Sequence, residues 1–180
     1  MNNSLKTALL GFITLAVVSC KETKTNQESS TENSKEIQNA EKQMDTKADA
    51  SFTSEMAESV YANYQELRVA LVNSDASAAQ TAAINLVDNV LEEQADMRSS
   101  ALAMADATDI EKQRQLFSEL TQHLEPMLKE SISEGTLYKQ FCPMAFEGNG
   151  GYWISNSDEI RNPYYGDKML KCGKVVEEIH

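Results

Sequence analysis

Apolar residues along this chain fall into two regimes. From Thr53 onward Val60, Tyr64, Leu67 and Leu71 recur at spacings of four, three and four, which puts them on one face of a helix. Thr53 stands where an N-cap belongs, and Glu55 falls in the first turn, where the helix dipole favours a negative charge. Asn73-Ser74-Asp75 breaks the pattern. Asp75 then caps a second helix running through Ala79, Ala83, Leu86, Val87, Val90 and Leu91. Its small residues Ala78, Ala79, Ala82 and Ala83 allow a neighbouring helix to come close. Ala95 to Ala105 is helix-prone after a bend. Thr108-Asp109-Ile110-Glu111 matches a capping box and starts another long helix, with Phe117, Leu120, Leu124 and Leu128 facing inward. Pro126 lacks an N–H and is expected to kink or restart that helix, and Gly135 to end it as the C-cap residue.

Beyond Gly135 the helical period stops. Residues 136–180 hold the single Trp and four of the six Tyr. Tyr138–Phe141 and Tyr152–Ser155 read as short strands around the turn Glu147-Gly148-Asn149-Gly150-Gly151. Asn162-Pro163 marks a second turn, and Lys174–Ile179 a last strand. The expected fold is therefore mainly α: an antiparallel helical bundle over residues 53–180 with a small, irregular, β-containing C-terminal block at 136–180. There is no internal repeat.

The N-terminus has a different character. Lys6 precedes an apolar run from Ala8 to Val18, too short to span a bilayer comfortably, and then Ser19-Cys20. This is the pattern of a signal peptide over residues 1–19. Val17-Val18-Ser19-Cys20 resembles the lipobox of bacterial lipoproteins, which implies cleavage before Cys20, lipidation of Cys20 and attachment to a membrane at the cell envelope. Residues 21–50 contain Ile37 and Met44 as their only apolar residues larger than Ala. Such a segment buries too little surface to offset ordering entropy. Residues 20–52 are thus expected to be a lipidated, disordered tether, reaching at most roughly 100 Å.

Charge narrows the partners. The chain carries a formal −12, and cleavage before Cys20 removes Lys6 and no acid, giving −13. So acidic a surface disfavours nucleic acid and anionic headgroups.

With Cys20 lipidated, Cys142 and Cys172 remain, each beside a methionine. In Cys142-Pro143-Met144 the two sulfurs share a face if the chain is extended. In Met169-Leu170-Lys171-Cys172 they meet across one helical turn. Thiolate and thioether are soft donors suited to Cu(I), whereas Zn prefers Cys, His and carboxylate. Trp153 is placed to cover an ion with its ring face. His123, four residues before Met127, is a further candidate donor, while His180 ends the chain. A Cys142–Cys172 disulfide explains the same cysteines, closing a loop of about 30 residues worth roughly 3–4 kcal/mol, with Met144 and Met169 as core filler. Spacing alone leaves both open. An enzyme is disfavoured: no nucleophile signature surrounds either Cys, and Gly148-Asn149-Gly150-Gly151 lacks phosphate-loop spacing.

The last forty residues carry a specific resemblance. Cys142-Pro143-Met144-Ala145, Gly151-Tyr152-Trp153, Ile160-Arg161-Asn162-Pro163-Tyr164-Tyr165-Gly166 and Met169-Leu170-Lys171-Cys172-Gly173 resemble the hallmark of a bacterial envelope domain family, number 3347 among domains of unknown function. The helical pattern over residues 55–133 is similar to that family's but generic. Its members occur alone behind lipoprotein signals and also attached to periplasmic adaptor subunits of heavy-metal efflux pumps. The resemblance implies copper or silver handling, with an efflux adaptor or another envelope protein as partner. It makes Cys142, Met144, Met169 and Cys172 the expected donors of a Cu(I) or Ag(I) site. The alternative is a non-enzymatic interaction module stapled by a Cys142–Cys172 disulfide. The turn at Asn162–Gly166 is expected to bring Met169 and Cys172 back to Cys142.

Overall fold

The computed structural model describes residues 50–180. The signal peptide, Cys20 and nearly all of the tether read from the sequence lie outside the described residues. Four helices, α1 (Glu55–Val72), α2 (Ala76–Asn89), α3 (Ala95–Asp106) and α4 (Ile110–Ser131), follow one another through short connections. Each packs on the next, and α4 returns to α1, the result expected when short loops join antiparallel neighbours. None of these helices is long and apolar enough to cross a membrane.

The faces predicted from periodicity are the buried ones. Val60, Tyr64, Leu67 and Leu71 of α1 meet Phe117, Leu120, Leu124 and Leu128 of α4, all fully buried in one core. Ala79, Ala82 and Ala83 of α2 are buried as small residues between helices, whereas Ala78 faces solvent. Leu91 corrects an expectation: α2 ends at Asn89, and Leu91 is exposed beyond it. The open end of α2 is closed instead by Arg98 of α3, whose guanidinium donates to the carbonyls of Val87 (2.7 Å) and Val90 (3.1 Å).

Two caps shift by one residue. Ser54 rather than Thr53 caps α1, its hydroxyl accepting from the Ala57 N–H at 3.2 Å. Asp109 rather than Thr108 caps α4, accepting from the Lys112 N–H at 2.8 Å. Asp75 caps α2 as expected. Pro126 neither ends nor restarts α4, which continues to Ser131 with buried Leu124 and Leu128 on either side of it. Gly135 does adopt a left-handed conformation (φ +86°), but three residues beyond the helix C-cap, Ile132. Between them lies a strand, β2 (Ile132–Glu134). It pairs antiparallel with β1 (Ser51–Phe52), and the Thr53 N–H donates to the Ser131 carbonyl at 2.8 Å. Ala50 is buried and Phe52 packs on Tyr61. The folded domain therefore includes residues 50–52, which the sequence placed in the tether.

The C-terminal block is a three-stranded antiparallel sheet ordered β4 (Gly151–Ser155), β3 (Leu137–Cys142), β5 (Lys174–Ile179). β4 is an edge strand, yet its edge is not open. The Ile154 N–H donates to the Tyr64 hydroxyl at 3.1 Å, and the Ile154 carbonyl accepts from the Gln65 side chain at 3.0 Å. Two consecutive side chains of α1 thus satisfy one strand residue as a neighbouring strand would. Burial pushes the Tyr64 phenol up to about 12, so it stays a neutral donor to Thr121 or acceptor from it at 2.9 Å.

Candidate functional site

The first arm of the site is the end of β3. Gln140 and Cys142 are two residues apart on one strand and both are fully buried, so they share the inner face. Cys142 lies opposite Gly151 in the β3–β4 register. A side chain at Gly151 would run into the rings of Tyr164 and Phe146 (2.6 and 3.0 Å). After Cys142 the chain turns sharply about the Ala145 carbonyl, which accepts from the N–H groups of Gly148 (3.2 Å) and Gly150 (2.9 Å).

The second arm is the loop from Asn156 to Gly173, and Asn162 organises it. Its side chain is fully buried, accepts from the Tyr164 N–H at 2.8 Å and donates to the Cys172 carbonyl at 2.8 Å. Its own N–H donates to the Leu170 carbonyl at 2.8 Å. One residue therefore ties the turn in the middle of the loop to the loop's end. Arg114, buried in α4, holds the same turn from below, donating to the carbonyl of Pro163 at 3.0 Å and to the Ser74 hydroxyl at 2.9 Å. Two tyrosines hold it from above: Tyr164 donates to the Tyr152 carbonyl, and Tyr165 to the Met144 carbonyl at 2.6 Å. Gly173 then crosses over Trp153 so closely that a Cβ would lie 2.9 Å from the indole and 3.0 Å from the Phe141 carbonyl oxygen.

This architecture brings Cys142 and Cys172 together, their sulfurs 3.4 Å apart, both as free thiols. Cys142 is fully buried and Cys172 half-buried. The thiol–thiol hydrogen bond, followed by partial burial, pushes the Cys172 thiol above its ordinary range. The turn at Asn162–Gly166 does return Cys172 to Cys142.

The other predicted donors are placed differently. Met144 does not share a face with Cys142. It sits in the turn after β3 and is 53% exposed, while Cys142 points into the core. Met169 is joined to Cys172 by a single turn, the Cys172 N–H donating to the Met169 carbonyl at 3.0 Å, and its side chain is 36% exposed. Neither methionine is core filler. Both lie at the surface on the segments that carry the two cysteines. Trp153 is fully buried, edge-on to Tyr164 with ring centroids 5.9 Å apart, and walls the Gly173 segment from inside. His123 is exposed on α4 in a groove lined by Glu93, Gln94, Asp96, Met97, Met127 and Glu130, and no residue of the C-terminal block lines that groove. His180 lies at the far end of β5, with Nδ1 3.2 Å from the Thr136 hydroxyl.

Among the described residues no three of His, Cys, Asp and Glu converge as metal ligands. An ion held at the cysteines would therefore draw on sulfur. Sequence reasoning placed Asn162 in the turn that returns Cys172 but missed its side chain as the clasp, and it missed Arg114 as the strut. Asn162 bonds to Tyr164 and Cys172 within its own loop and Arg114 to partners 40 and 49 residues away, and periodicity carries no signal for either.

Residues 60–135 match the model of a family described as a protein of unknown function (DUF3347). The matched span runs from α1 to just past β2 and stops before the cysteine-bearing block. No curated protein and no solved structure matches the chain.

Proposed function

We propose that this chain binds a soft monovalent metal ion, Cu(I) and by the same chemistry Ag(I), through the thiolates of Cys142 and Cys172. The thioethers of Met144 and Met169 close over the ion from the surface. The observation that carries this reading is the convergence at 3.4 Å of two cysteines thirty residues apart, both as free thiols, each on a segment that also presents an exposed methionine. Methionine's three rotatable bonds leave an exposed thioether free to reorient toward an ion. The role is metal buffering or delivery to efflux rather than catalysis. Its supports are the soft donor set and the absence of a histidine base in the cysteine block other than the chain-terminal His180. The lipobox-like Val17–Cys20 supports an anchored position at the bacterial envelope, where an efflux adaptor or another envelope protein would be the partner. Trp153 serves as a packing wall of the site, and His123 belongs to a different groove.

A second reading draws on the same distance. Two thiols at 3.4 Å are also the reduced form of a disulfide that would staple the C-terminal block of an interaction module.

An anaerobic Cu(I) titration of the reduced chain against a competing chelator, in a Cys20→Ser background, separates the two. One tightly held ion is expected. Met144→Leu with Met169→Leu should weaken binding about tenfold or more with an unchanged melting temperature. If Cys142→Ser with Cys172→Ser leaves the copper affinity unaltered, the proposed site is wrong.

A further inference from the structure

The two thiols are not equivalent. Cys142 is fully buried on the inner face of β3. Cys172 is half-buried at the rim, on a loop whose backbone Asn162 and Gly173 hold in place. A large reagent can therefore reach only one of the two sulfurs, and the other waits 3.4 Å behind it. Closing that gap to a bond of about 2.05 Å takes roughly 1.3 Å of side-chain movement. A bond formed here would have one half in the buried Cys142 and the other in the half-buried Cys172, and it is exposed disulfides that an incoming thiol attacks.

We infer that Cys142 and Cys172 form an exchange-active dithiol–disulfide couple, entered at Cys172 and closed by Cys142. The oxidant is a low-molecular-weight disulfide. The Cys172 thiolate attacks one of its sulfurs, the reagent's S–S bond breaks, and one thiolate leaves and takes up a proton. Cys142, as thiolate, then attacks the Cys172 sulfur of the mixed disulfide and expels the second thiol. Two electrons pass from the protein to the reagent, two protons follow, and one internal S–S bond has replaced the external one. The reverse sequence reduces the protein. Closure also removes both thiolates from any ion, a consequence that rests on the metal reading.

The test uses the full chain, reduced, metal-free and natively folded, incubated with oxidised glutathione, with products located by peptide mass so that Cys20 is counted separately. The wild type is expected to end with Cys142 bridged to Cys172 and no glutathione on either. Cys142→Ser should retain one glutathione on Cys172. Cys172→Ser should leave Cys142 unmodified, reacting at least about tenfold more slowly, and that difference should vanish in denaturant. Near-UV circular dichroism, which reports the buried Trp153, checks that each variant keeps the native packing, with Cys142→Ala as the substitute for a Ser variant that does not. If Cys142 reacts as fast as Cys172 in the folded variants, or if the wild type keeps glutathione on Cys172 without bridging, the inference is overturned. No metal is present, so the result is decided independently of the Cu(I) site.

Discussion

In α1–α4 most backbone polar groups find partners within their own helix, and side chains are left to pack or to close helix ends. In the C-terminal block short strands are joined by long turns, and polar side chains do much of the pairing. Gln140 donates to the carbonyls of Ser157 (2.8 Å) and Glu159 (3.2 Å), Asn162 to that of Cys172, Tyr165 to that of Met144, and Gln65 reaches in from α1 to Ile154. Damage to the two regions should therefore spread differently. A helix that loses one packing residue keeps its backbone bonds and relaxes locally. A block clasped by single side chains loses its geometry when one clasp goes. Since the cysteine pair sits inside the clasped region, its reactivity reports the state of the clasps.

The sharpest contrast sets Trp153→Ala against Leu124→Ala. Both side chains are fully buried, and their stability costs should overlap, about 3–5 and 2–5 kcal/mol. They should differ in where the loss appears. Removing the indole frees the Gly173 segment that rests on it, so Cys142 should gain reactivity toward a thiol reagent far below the unfolding midpoint. In Leu124→Ala, Cys142 should stay protected until global unfolding. Equal protection in both variants would abolish the distinction.

Asn162→Ala should come next, at about 2–4 kcal/mol, because it leaves the buried Tyr164 N–H and Cys172 carbonyl without their partner. Urea unfolding with thiol labelling at low denaturant checks it. A helix cap makes the control: Ser54→Ala should cost about 1 kcal/mol and leave thiol protection unchanged. A smaller effect separates two glycines of the block. Gly148 and Gly173 both have positive φ (+89° and +151°), but a Cβ at Gly148 meets nothing within 4 Å, while one at Gly173 meets Trp153, Phe141 and Ile160. Gly148→Ala should cost about 1 kcal/mol through conformational strain alone. Gly173→Ala should cost about 1–2 kcal/mol more, measured by the same denaturation.

The same division governs what was legible in the sequence. The inner faces of α1 and α4 follow from a 3.6-residue period, a local property of the chain. The one-residue errors at Thr53 and Thr108 arose because each is followed by a second competent cap, Ser54 and Asp109. β1 is two residues long and acquires its structure only from β2, so no pattern within it could announce it. In the block, strands and turns were readable from Gly, Asn and the aromatics, and the two cysteines stood out as chemistry. The clasp was not readable. It depends on Asn162 meeting a carbonyl ten residues away and on Arg114 reaching a turn 49 residues away. The exposed placement of Met144 was hidden for a related reason: β3 ends at Cys142, and Pro143 and Met144 turn away from the strand that alternation assumed.

Glu125 lies where the two regions meet, and it offers the smallest and most specific test of their coupling. From α4 it pairs with Lys139 of β3 at 2.7 Å and with Lys129 of its own helix at 2.7 Å, and Lys129 in turn reaches Glu177 of β5 at 2.8 Å. Partial burial pushes the Glu125 carboxyl up, but the hydrogen bonds from Lys129 and Lys139 outweigh it, so its pKa falls below the ordinary 4.5. A carboxyl with a lowered folded pKa contributes stability that is fully present above the unfolded value and lost as pH falls through the folded one. Because the lysines are partly exposed, the contribution should be under about 1 kcal/mol and sensitive to salt. Glu125→Gln keeps the helix propensity and removes the charge. The melting temperature should therefore drop by a small, constant amount at neutral pH, and wild type and variant should converge as pH falls below 4.5. Thiol labelling of Cys142 should stay unchanged, since the pair spans the two regions without holding the clasp. A difference that persisted undiminished at pH 3 would mean that Glu125 acts through packing, and that the helices and the block are joined by shape rather than by charge.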